Sequence, residues 1–206
     1  MKFSIVIPSY LGDYRNAAKN RDSKILRAVN SVLVQTFQDF EVIVVADGCK
    51  KTTEIVSKVE DPRVSCYYIE KSRIWSGEPR NTGIEMARGE FILYLDIDDL
   101  YGDGHLMNIS TQLGTYDWVW FDDIRYTPKT EEWYINHCFI ERMGKHGTSN
   151  ICHKRELPYR WDHAGYAHDY YFIKHLRQNT NFSRIEGGEY YVCHIPDSTL
   201  GKGYDL

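Results

Sequence analysis

The chain has 206 residues, of which 42% are hydrophobic and 26% are charged, a balance that is ordinary for a globular domain with a buried core. Its formal net charge of −4 gives the whole chain no attraction for polyanions, so a nucleic-acid partner would need a local basic cluster. No apolar run approaches the ~18 residues of a membrane-spanning helix, and no stretch has the full pattern of a signal peptide.

The five cysteines are widely spaced, and none forms a CxxC pair. This pattern indicates reduced thiols rather than a disulfide scaffold. We therefore expect a cytoplasmic protein without a transmembrane segment, either free in the cytoplasm or peripheral to the membrane. One basic cluster leaves a nucleic-acid contact open, although such charges more often form a solvated helix face. It consists of Arg15, Lys19, Arg21, Lys24 and Arg27.

Short apolar runs alternate with helical patterns through the first hundred residues. The runs are rich in β-branched and aromatic side chains, which predicts strands at residues 3–7, 40–45, 64–69 and 91–95. Helical spacing of apolar residues predicts a helix over 25–33, which Asp22 or Ser23 would cap. A short helix is predicted around 55–59, and another begins at Pro79 and is ended by Gly89.

The second half of the chain is less regular. Apolar spacing predicts helices at residues 106–113 and 168–176, and strands at 118–121, 133–140 and 190–195. Residues 144–150 form a predicted loop between them. The final residues, 196–206, are rich in turn formers.

Alternating strands and helices predict an α/β fold of the Rossmann-like type, with a mostly parallel central sheet flanked by helices. Ligands bind to such sheets beyond the carboxyl ends of the strands. Three predicted strand ends carry notable residues, namely Pro8-Ser9-Tyr10, Asp47-Gly48 and the segment from Asp96 to Asp99. We expect these three groups to line one edge of the sheet and to form a single binding site.

The acidic segment has the chemistry of a metal site. Asp96, Asp98 and Asp99 follow a buried strand, and close carboxylates repel one another unless a cation compensates. Oxygen ligands of this kind suit Mg²⁺ or Mn²⁺, which commonly bridge carboxylates and substrate phosphates. The alternative is an acidic turn that caps a helix. Asp47 has a similar alternative, since Asp-Gly is a common turn.

Residues 3 to 105 resemble the nucleotide-binding half of the family 2 glycosyltransferases, which have the GT-A fold. Three segments carry the resemblance in the family's order, and they read FSIVIPSY, SVLVQTFQDFEVIVVADGC and GEPRNTGIEMARGEFILYLDIDD. Each segment alone is weak, but matches in order and at the right spacing rarely occur by chance. The resemblance implies a nucleotide-sugar-binding half at residues 1–100 and an acceptor-binding half at 101–206.

The resemblance also implies roles for the residues of the first half. Pro8, Ser9 and Tyr10 would border the nucleoside, and Asp47 would contact the base, which is usually uracil. Arg80 would lie near the base or the phosphates, with Asn81 supporting its loop. Asp98 would reach the ribose or the metal, and Asp99 would be the main metal ligand, with Asp96 close behind.

The second half matches the family less closely. Family members place a catalytic aspartate before a late helix, and we assign that role to Asp169, with a helix cap as the alternative. A late histidine often completes the metal shell, which makes His194 a candidate ligand or else a buried histidine without that role. Four aromatic side chains are candidates for acceptor contacts on the surface: Phe37, Trp161, His163 and Tyr166.

In its first half, the sequence departs from the family pattern at two places. Ala46 stands where the family often has the first aspartate of a pair, and residues 11–23 form a longer loop than usual. The basic residues of that loop, Arg15, Lys19 and Arg21, would cover the diphosphate or meet an acceptor.

We therefore expect an inverting glycosyltransferase that uses Mn²⁺ or Mg²⁺ and a nucleotide-diphosphate sugar, in this case a UDP-sugar. Asp169 would take the proton from the acceptor hydroxyl. A saccharide or a lipid-linked glycan is the expected acceptor, ahead of a protein or a modified nucleic-acid base. The alternatives are a nucleotidyltransferase and a sugar-nucleotide-binding protein on the same fold; the former usually has a glycine-rich loop with a lysine after the first strand, which is missing here.

Overall fold

The computed structural model describes residues 1–14, 17–73, 76–127, 130–165, 167–197 and 202–205, with side chains described as far as Cys193. The described helices are α1 (Arg21–Leu33), α2 (Lys50–Val56), α3 (Gly77–Met86), α4 (His105–Gln112) and α5 (His168–Leu176). The strands of the first half are β1 (Phe3–Ser9), β2 (Phe40–Asp47), β3 (Val64–Ile69), β4 (Phe91–Tyr94) and β5 (Leu100–Tyr101). Those of the second half are β6 (Trp118–Trp120), β7 (Asp123–Thr127), β8 (Glu132–Asn136), β9 (Ile151–Lys154), β10 (Phe182–Arg184), β11 (Tyr190–Val192), β12 (His194–Asp197) and β13 (Lys202–Asp205).

A seven-stranded sheet forms the centre of the molecule, with strand order β10-β6-β9-β4-β1-β2-β3. Strands β4, β1, β2 and β3 run parallel, as do β10 and β6, while β9 is antiparallel to both of its neighbours. The predicted mostly parallel α/β sheet is therefore confirmed. Strands from both halves of the chain share this sheet, so the two halves are joined in one fold.

Two hydrophobic clusters cover the two faces of the sheet. Because successive side chains of a strand point to opposite faces, Ile5 and Ile7 of β1 join the cluster under α1 and α4, while Val6 joins the cluster under α3 and α5. All three side chains are fully buried. A strand buried on both sides reads as a continuous apolar run, which is why β1 and β2 could be recognised in the sequence.

A second sheet extends the carboxyl edge of the first. It has four strands in the order β5-β11-β7-β8. Strand β7 is parallel to β11 on one side and antiparallel to β8 on the other. Strand β11 also pairs with β5, which follows the acidic segment directly. The second sheet therefore runs away from the acidic segment and ends at the free edge of β8.

Several predicted boundaries differ from the structure. Helix α1 begins at Arg21 after Asn20, whose φ of 53° is left-handed, so Asp22 and Ser23 lie inside the helix and the capping prediction is wrong. Asparagine tolerates that conformation better than most residues. The predicted strand at 133–140 ends at Asn136, and the one at 190–195 is divided between β11 and β12.

Candidate active site

A pocket of about 960 Å³ opens where the carboxyl ends of β1, β2 and β4 meet. Its walls include every predicted site residue whose side chain is described: Pro8, Ser9, Tyr10, Asp47, Arg80, Asp96, Asp98, Asp99 and Asp169. Parallel strands bring their carboxyl ends to one edge, and the first turn of α5 completes the wall. The side chain of His194 lies outside the described part of the chain, so its predicted role stays a prediction.

Asp47 is held firmly at one end of the pocket. Its carboxylate is almost fully buried, and it accepts hydrogen bonds from the Ser72 backbone N–H and from Lys71 Nζ at 2.5 Å. The Lys71 ammonium also lies 4.3 Å from the centre of the Tyr10 ring, within the range of a cation–π contact. This end therefore presents an aromatic face next to a lysine that is paired with a carboxylate.

Lys71 was not among the predicted site residues, although the sequence contains a signal for it. It follows β3, and β3 ends at the same carboxyl edge as β1 and β2. The rule that singled out Tyr10 and Asp47 applies equally to this fourth strand end.

Arg80 lies in the pocket wall, almost fully buried, and connects three segments. Its side chain is 2% exposed, and Nη2 donates to Asp96 Oδ1 at 2.9 Å and to Thr148 Oγ1 at 3.0 Å. A third contact joins Nη1 to Ser76 within its own helix. Arg80 therefore ties α3 to the acidic segment and to the loop at 147–150, and its described contacts are those of a residue that positions Asp96.

The Asp99 carboxylate is buried, and both of its oxygens accept hydrogen bonds. The Tyr190 hydroxyl donates to Oδ2, and the Cys193 backbone N–H donates to Oδ1 at 2.8 Å. Burial and the nearby charges of Asp98 and Asp96 raise the pKa of Asp99 well above its ordinary value. Asp99 therefore lies close to two other carboxylates, and its hydrogen bonds hold β11 against the acidic segment.

Asp98 and Asp96 remain on the pocket wall, both only half-buried. The backbone carbonyl of Asp98 accepts a hydrogen bond of 2.6 Å from Arg27 Nη2, which fixes the turn. Among the described residues, no three histidine, cysteine, aspartate or glutamate side chains are grouped as a metal site. A bound Mg²⁺ often uses only one or two protein carboxylates together with substrate phosphates, and Asp96 and Asp98 suit that arrangement.

Asp169 enters the pocket from the first turn of α5, next to His168. Its Oδ1 accepts a hydrogen bond of 2.8 Å from the Tyr170 backbone N–H. Burial lowers the pKa of both His168 and His146, while the charge of Asp169 acts on each in the opposite direction. Asp169 is thus a pocket carboxylate with two imidazoles nearby, an arrangement that can accept a proton.

The wall opposite Asp47 was not predicted. It consists of Asp123 and Arg125 of β7 with Tyr190 and Val192 of β11. Strand β7 has the sequence DIRYT, which is not a continuous apolar run, and most of its side chains are half-buried. Its position in the site depends on pairing with β11, which lies far along the chain, so local pattern could not reveal it.

Two aromatic residues predicted on the surface lie elsewhere. Trp161 is 1% exposed, because its ring stacks on Phe172 at 3.9 Å and its Nε1 donates to Tyr94 Oη at 3.0 Å. Phe37 packs on Phe3 at the opposite end of β1 from the pocket. Both predictions are wrong, since the cores in which these rings lie are assembled from distant segments; Tyr166 lies outside the described residues.

The side chain of Asn81 supports a different segment from the loop beside Arg80 that was expected. It exchanges two hydrogen bonds with the Trp161 backbone, one from Nδ2 to the carbonyl at 2.9 Å and one from the N–H to Oδ1 at 2.8 Å. These bonds fix the segment that leads towards α5, and thereby the approach to Asp169.

The basic cluster of residues 15–27 is divided: Arg21 and Lys24 are buried, Arg27 is half-buried and Lys19 is exposed. Arg21 is 8% exposed and donates to the carbonyls of Tyr10 and Gly12, and Lys24 is 7% exposed. Arg21 therefore braces the loop after β1 and does not extend into solvent. These two side chains offer little to a nucleic acid, and Arg15 lies outside the described residues.

Two known proteins are similar in sequence to less than half of this chain. Poly(ribitol-phosphate) beta-N-acetylglucosaminyltransferase TarS of Staphylococcus aureus (strain MW2) is 34% identical over 103 residues, which are 48% of this chain and 16% of TarS. Succinoglycan biosynthesis protein ExoO of Rhizobium meliloti (strain 1021) is 40% identical over 84 residues, 40% of this chain and 24% of ExoO. The chain thus spans a quarter or less of the length of these relatives.

Solved structures of S. aureus TarS share the fold. The complex of TarS 1-349 with UDP-GlcNAc has a TM-score of 0.75 at 21% identity, with 93% of this chain and 58% of that chain covered. The complex with UDP has a TM-score of 0.74 at 21% identity, with 93% and 60% covered.

None of the described helices combines the length and apolar character needed to cross a membrane.

The model of glycosyl transferase family 2 matches residues 4–176, which is most of the chain. The chain therefore belongs to glycosyl transferase family 2 and has its GT-A fold.

Proposed function

We propose that this protein transfers a sugar from a UDP-sugar to an acceptor hydroxyl with inversion at the anomeric carbon. The observation that carries the proposal is that the strand-end residues and Asp169, which are far apart in sequence, line one pocket. Structures of TarS, which shares the fold, contain UDP and UDP-GlcNAc. The acceptor that we propose is a saccharide or a lipid-linked glycan.

The donor binds at the end of the pocket formed by the first half of the chain. Tyr10 offers a ring for the base, and Asp47 with Lys71 offers polar groups of both signs beside it. The Asp47 oxygens already accept two hydrogen bonds, so Asp47 contacts the base through its remaining lone pairs or after Lys71 turns to a phosphate. The acceptor enters from the side of the second sheet, next to Asp169.

A divalent cation, Mn²⁺ or Mg²⁺, fits the acidic segment. Burial and the nearby charges of Asp98 and Asp96 raise the pKa of Asp99, and a cation beside these three carboxylates would relieve their repulsion. We assign Asp98 and Asp96 as the ligands that face the pocket. Asp99, predicted as the main ligand, fixes the segment through Tyr190 and Cys193 unless it exchanges those bonds for the ion. When bound, the ion would neutralise the charge of the leaving diphosphate.

The remaining chemistry belongs to the chain itself. Asp169 accepts the proton of the acceptor hydroxyl while that oxygen forms a bond to the anomeric carbon. The bond from that carbon to the diphosphate oxygen breaks at the same time, and UDP leaves with the electron pair. Most of the acceleration comes from holding donor, acceptor and base in line within a pocket whose walls are already fixed.

Nucleotide binding gives a direct test. We would measure thermal stabilisation by UDP, GDP and CDP, each with and without Mn²⁺, because a ligand of the native state raises stability by mass action. We expect UDP with Mn²⁺ to give the largest shift. Asp98→Asn should reduce the Mn²⁺-dependent part, while Asp103→Asn, which changes an exposed carboxylate away from the pocket, should not.

Each outcome separates a different part of the proposal. A shift with UDP that is equal with and without Mn²⁺ would refute the proposed role of the metal and leave the proposed UDP-sugar donor standing. The absence of a shift with every nucleotide would overturn the proposal that the protein is a nucleotide-sugar-dependent transferase.

A further inference from the structure

Strands β7 and β8 form a hairpin that continues the pocket wall away from the donor end. In the second sheet the order from the acidic segment outward is β11, β7 and β8, and Asp99 is bonded to Tyr190 of β11. Neighbouring strands are about 4.8 Å apart, so β8 lies about 10 Å beyond β11. The hairpin therefore extends outward from the part of the pocket wall that β7 and β11 form.

The strand register decides which hairpin residues share the face of the pocket. Arg125 lines the pocket, and its partner across the hairpin is Tyr134, so both side chains lie on that face. Tyr134 is 46% exposed, and it is among the groups whose charge acts on the Arg125 guanidinium. Alternate residues continue the polar character of this face at Thr127, Glu132 and Asn136.

The opposite face of the hairpin has a different character. Trp133 packs edge-on against Tyr126 at 5.3 Å and Tyr191 at 5.2 Å between ring centres, and Ile124 and Ile135 are paired there. An ordinary two-sided strand would explain those apolar contacts. On the face that Arg125 shares, Tyr134 is 46% exposed and has Arg125 as its cross-strand partner.

Arg125 is prepared to bind hydroxyl groups rather than an anion. Its Nε and Nη2 donate to the Asp123 carboxylate at 2.9 and 3.1 Å, and Asp123 is 1% exposed. The pair is therefore neutral as a whole, while Nη1 donates to no acceptor among the described residues. A guanidinium that is already charge-compensated keeps hydrogen-bond donors for a ligand but offers little net attraction to a phosphate or carboxylate.

We propose that Arg125 and Tyr134 form an acceptor subsite for a neutral saccharide. The Tyr134 ring packs against the apolar face of a sugar ring, and Arg125 Nη1 donates to its hydroxyl groups. This proposal rests on the proposed function, since it names the acceptor of the same pocket. It makes these two residues determinants of specificity rather than catalytic residues.

Saccharide binding tests the subsite directly. We would present the wild-type protein, with and without UDP and Mn²⁺, to an array of neutral, sulfated and uronic-acid oligosaccharides, and then measure the Kd of the strongest neutral ligand in solution. Tyr134→Ala and Arg125→Lys should each raise that Kd about tenfold, while the Kd for UDP stays unchanged. Arg125→Lys keeps a cation beside Asp123, and melting temperatures confirm that each variant is folded.

Ile135→Ala is the matched control, because Ile135 is the neighbour of Tyr134 on the opposite face and is 61% exposed. The proposal is overturned if anionic oligosaccharides bind best, if no neutral one binds, or if Tyr134→Ala behaves like Ile135→Ala. Saccharide binding without any nucleotide binding would refute the proposed transferase function and support the saccharide subsite. The failure of one proposal can therefore be distinguished from the failure of the other.

Discussion

The pocket and the β7–β8 hairpin beside it are built in opposite ways. At the donor end, Asp47, Arg80 and Asp99 are each at most 5% exposed and are held by hydrogen bonds from other segments. On the hairpin beside the pocket, residues 132–135 of β8 are all exposed, and β8 is the outermost described strand of its sheet. The comparison teaches that the fold holds the strand-end groups of the pocket rigidly and leaves the side chains of β8 few contacts.

The largest expected effect is on the rate of transfer and comes from a change at Asp169, which lines the pocket. Asp169→Asn keeps the shape of the side chain and its acceptor for the Tyr170 N–H but removes the base. We expect the rate of transfer to fall by about 10²–10⁴-fold with the Kd for UDP unchanged. Single-turnover transfer and calorimetric UDP titration measure the two quantities. A variant that retains the wild-type rate would show that another group accepts the proton.

The next effect concerns the rigidity of the donor end. Arg80→Met leaves Asp96 without its ion pair in the pocket wall, and breaking a buried pair costs about 3–5 kcal/mol. Because the Asp96 side chain is 38% exposed, we expect the lower end of that range in urea unfolding. Lys2→Met, which breaks the exposed pair with Glu90, should cost less than about 1 kcal/mol. Equal losses would refute the contrast in rigidity.

A smaller effect depends on pH. His153 is buried between Tyr94 and the Lys154 carbonyl, and burial lowers its pKa to about 4. The unfolded chain, with an ordinary pKa near 6.5, binds this proton first, so stability is complete above pH 6.5 and falls as the pH falls towards 4. The loss from this residue is about 2 kcal/mol at pH 5.

His153→Gln should therefore flatten the fall in unfolding free energy between pH 7 and pH 5 by that amount. Glutamine can still accept from the Tyr94 hydroxyl and donate to the carbonyl. Urea titrations at the two pH values give the comparison, and a slope equal to that of the wild type would contradict the assignment.

The smallest effect is expected on β8. Ile135→Ala removes a side chain that is 61% exposed, and such surface changes usually stay within about 0.5 kcal/mol. Chemical unfolding measures it. A loss as large as that of Arg80→Met would mean that the hairpin is packed against something further and is not free.

The sequence predicted the donor end well because local rules apply to it. Buried parallel strands are continuous apolar runs, and their carboxyl ends carry Tyr10, Asp47 and Asp98, which a single geometric rule brings together. Asp169 was found through the family resemblance, and its helix has the predicted bounds. The same rule, applied to the end of β3, would have found Lys71.

The rest could not be predicted, because it depends on pairing between distant segments. Strand β9 has four residues and lies antiparallel between β4 and β6, and its own pattern does not indicate either partner. Trp161 is buried only because Phe172 and Tyr94 meet it in space. Arg125 reaches the pocket only through the register of β7 with β11.

The late partners of the donor end also set an order of assembly. Strand β4 is bordered on one side by β1 and on the other by β9, and Asp99 is held by Tyr190 and Cys193. Contacts of such long sequence separation slow folding, since the intervening chain must be ordered first. Without β9, the β4 side of the sheet would be an open edge able to pair with other chains. The donor site is complete only after β11 has closed over the acidic segment.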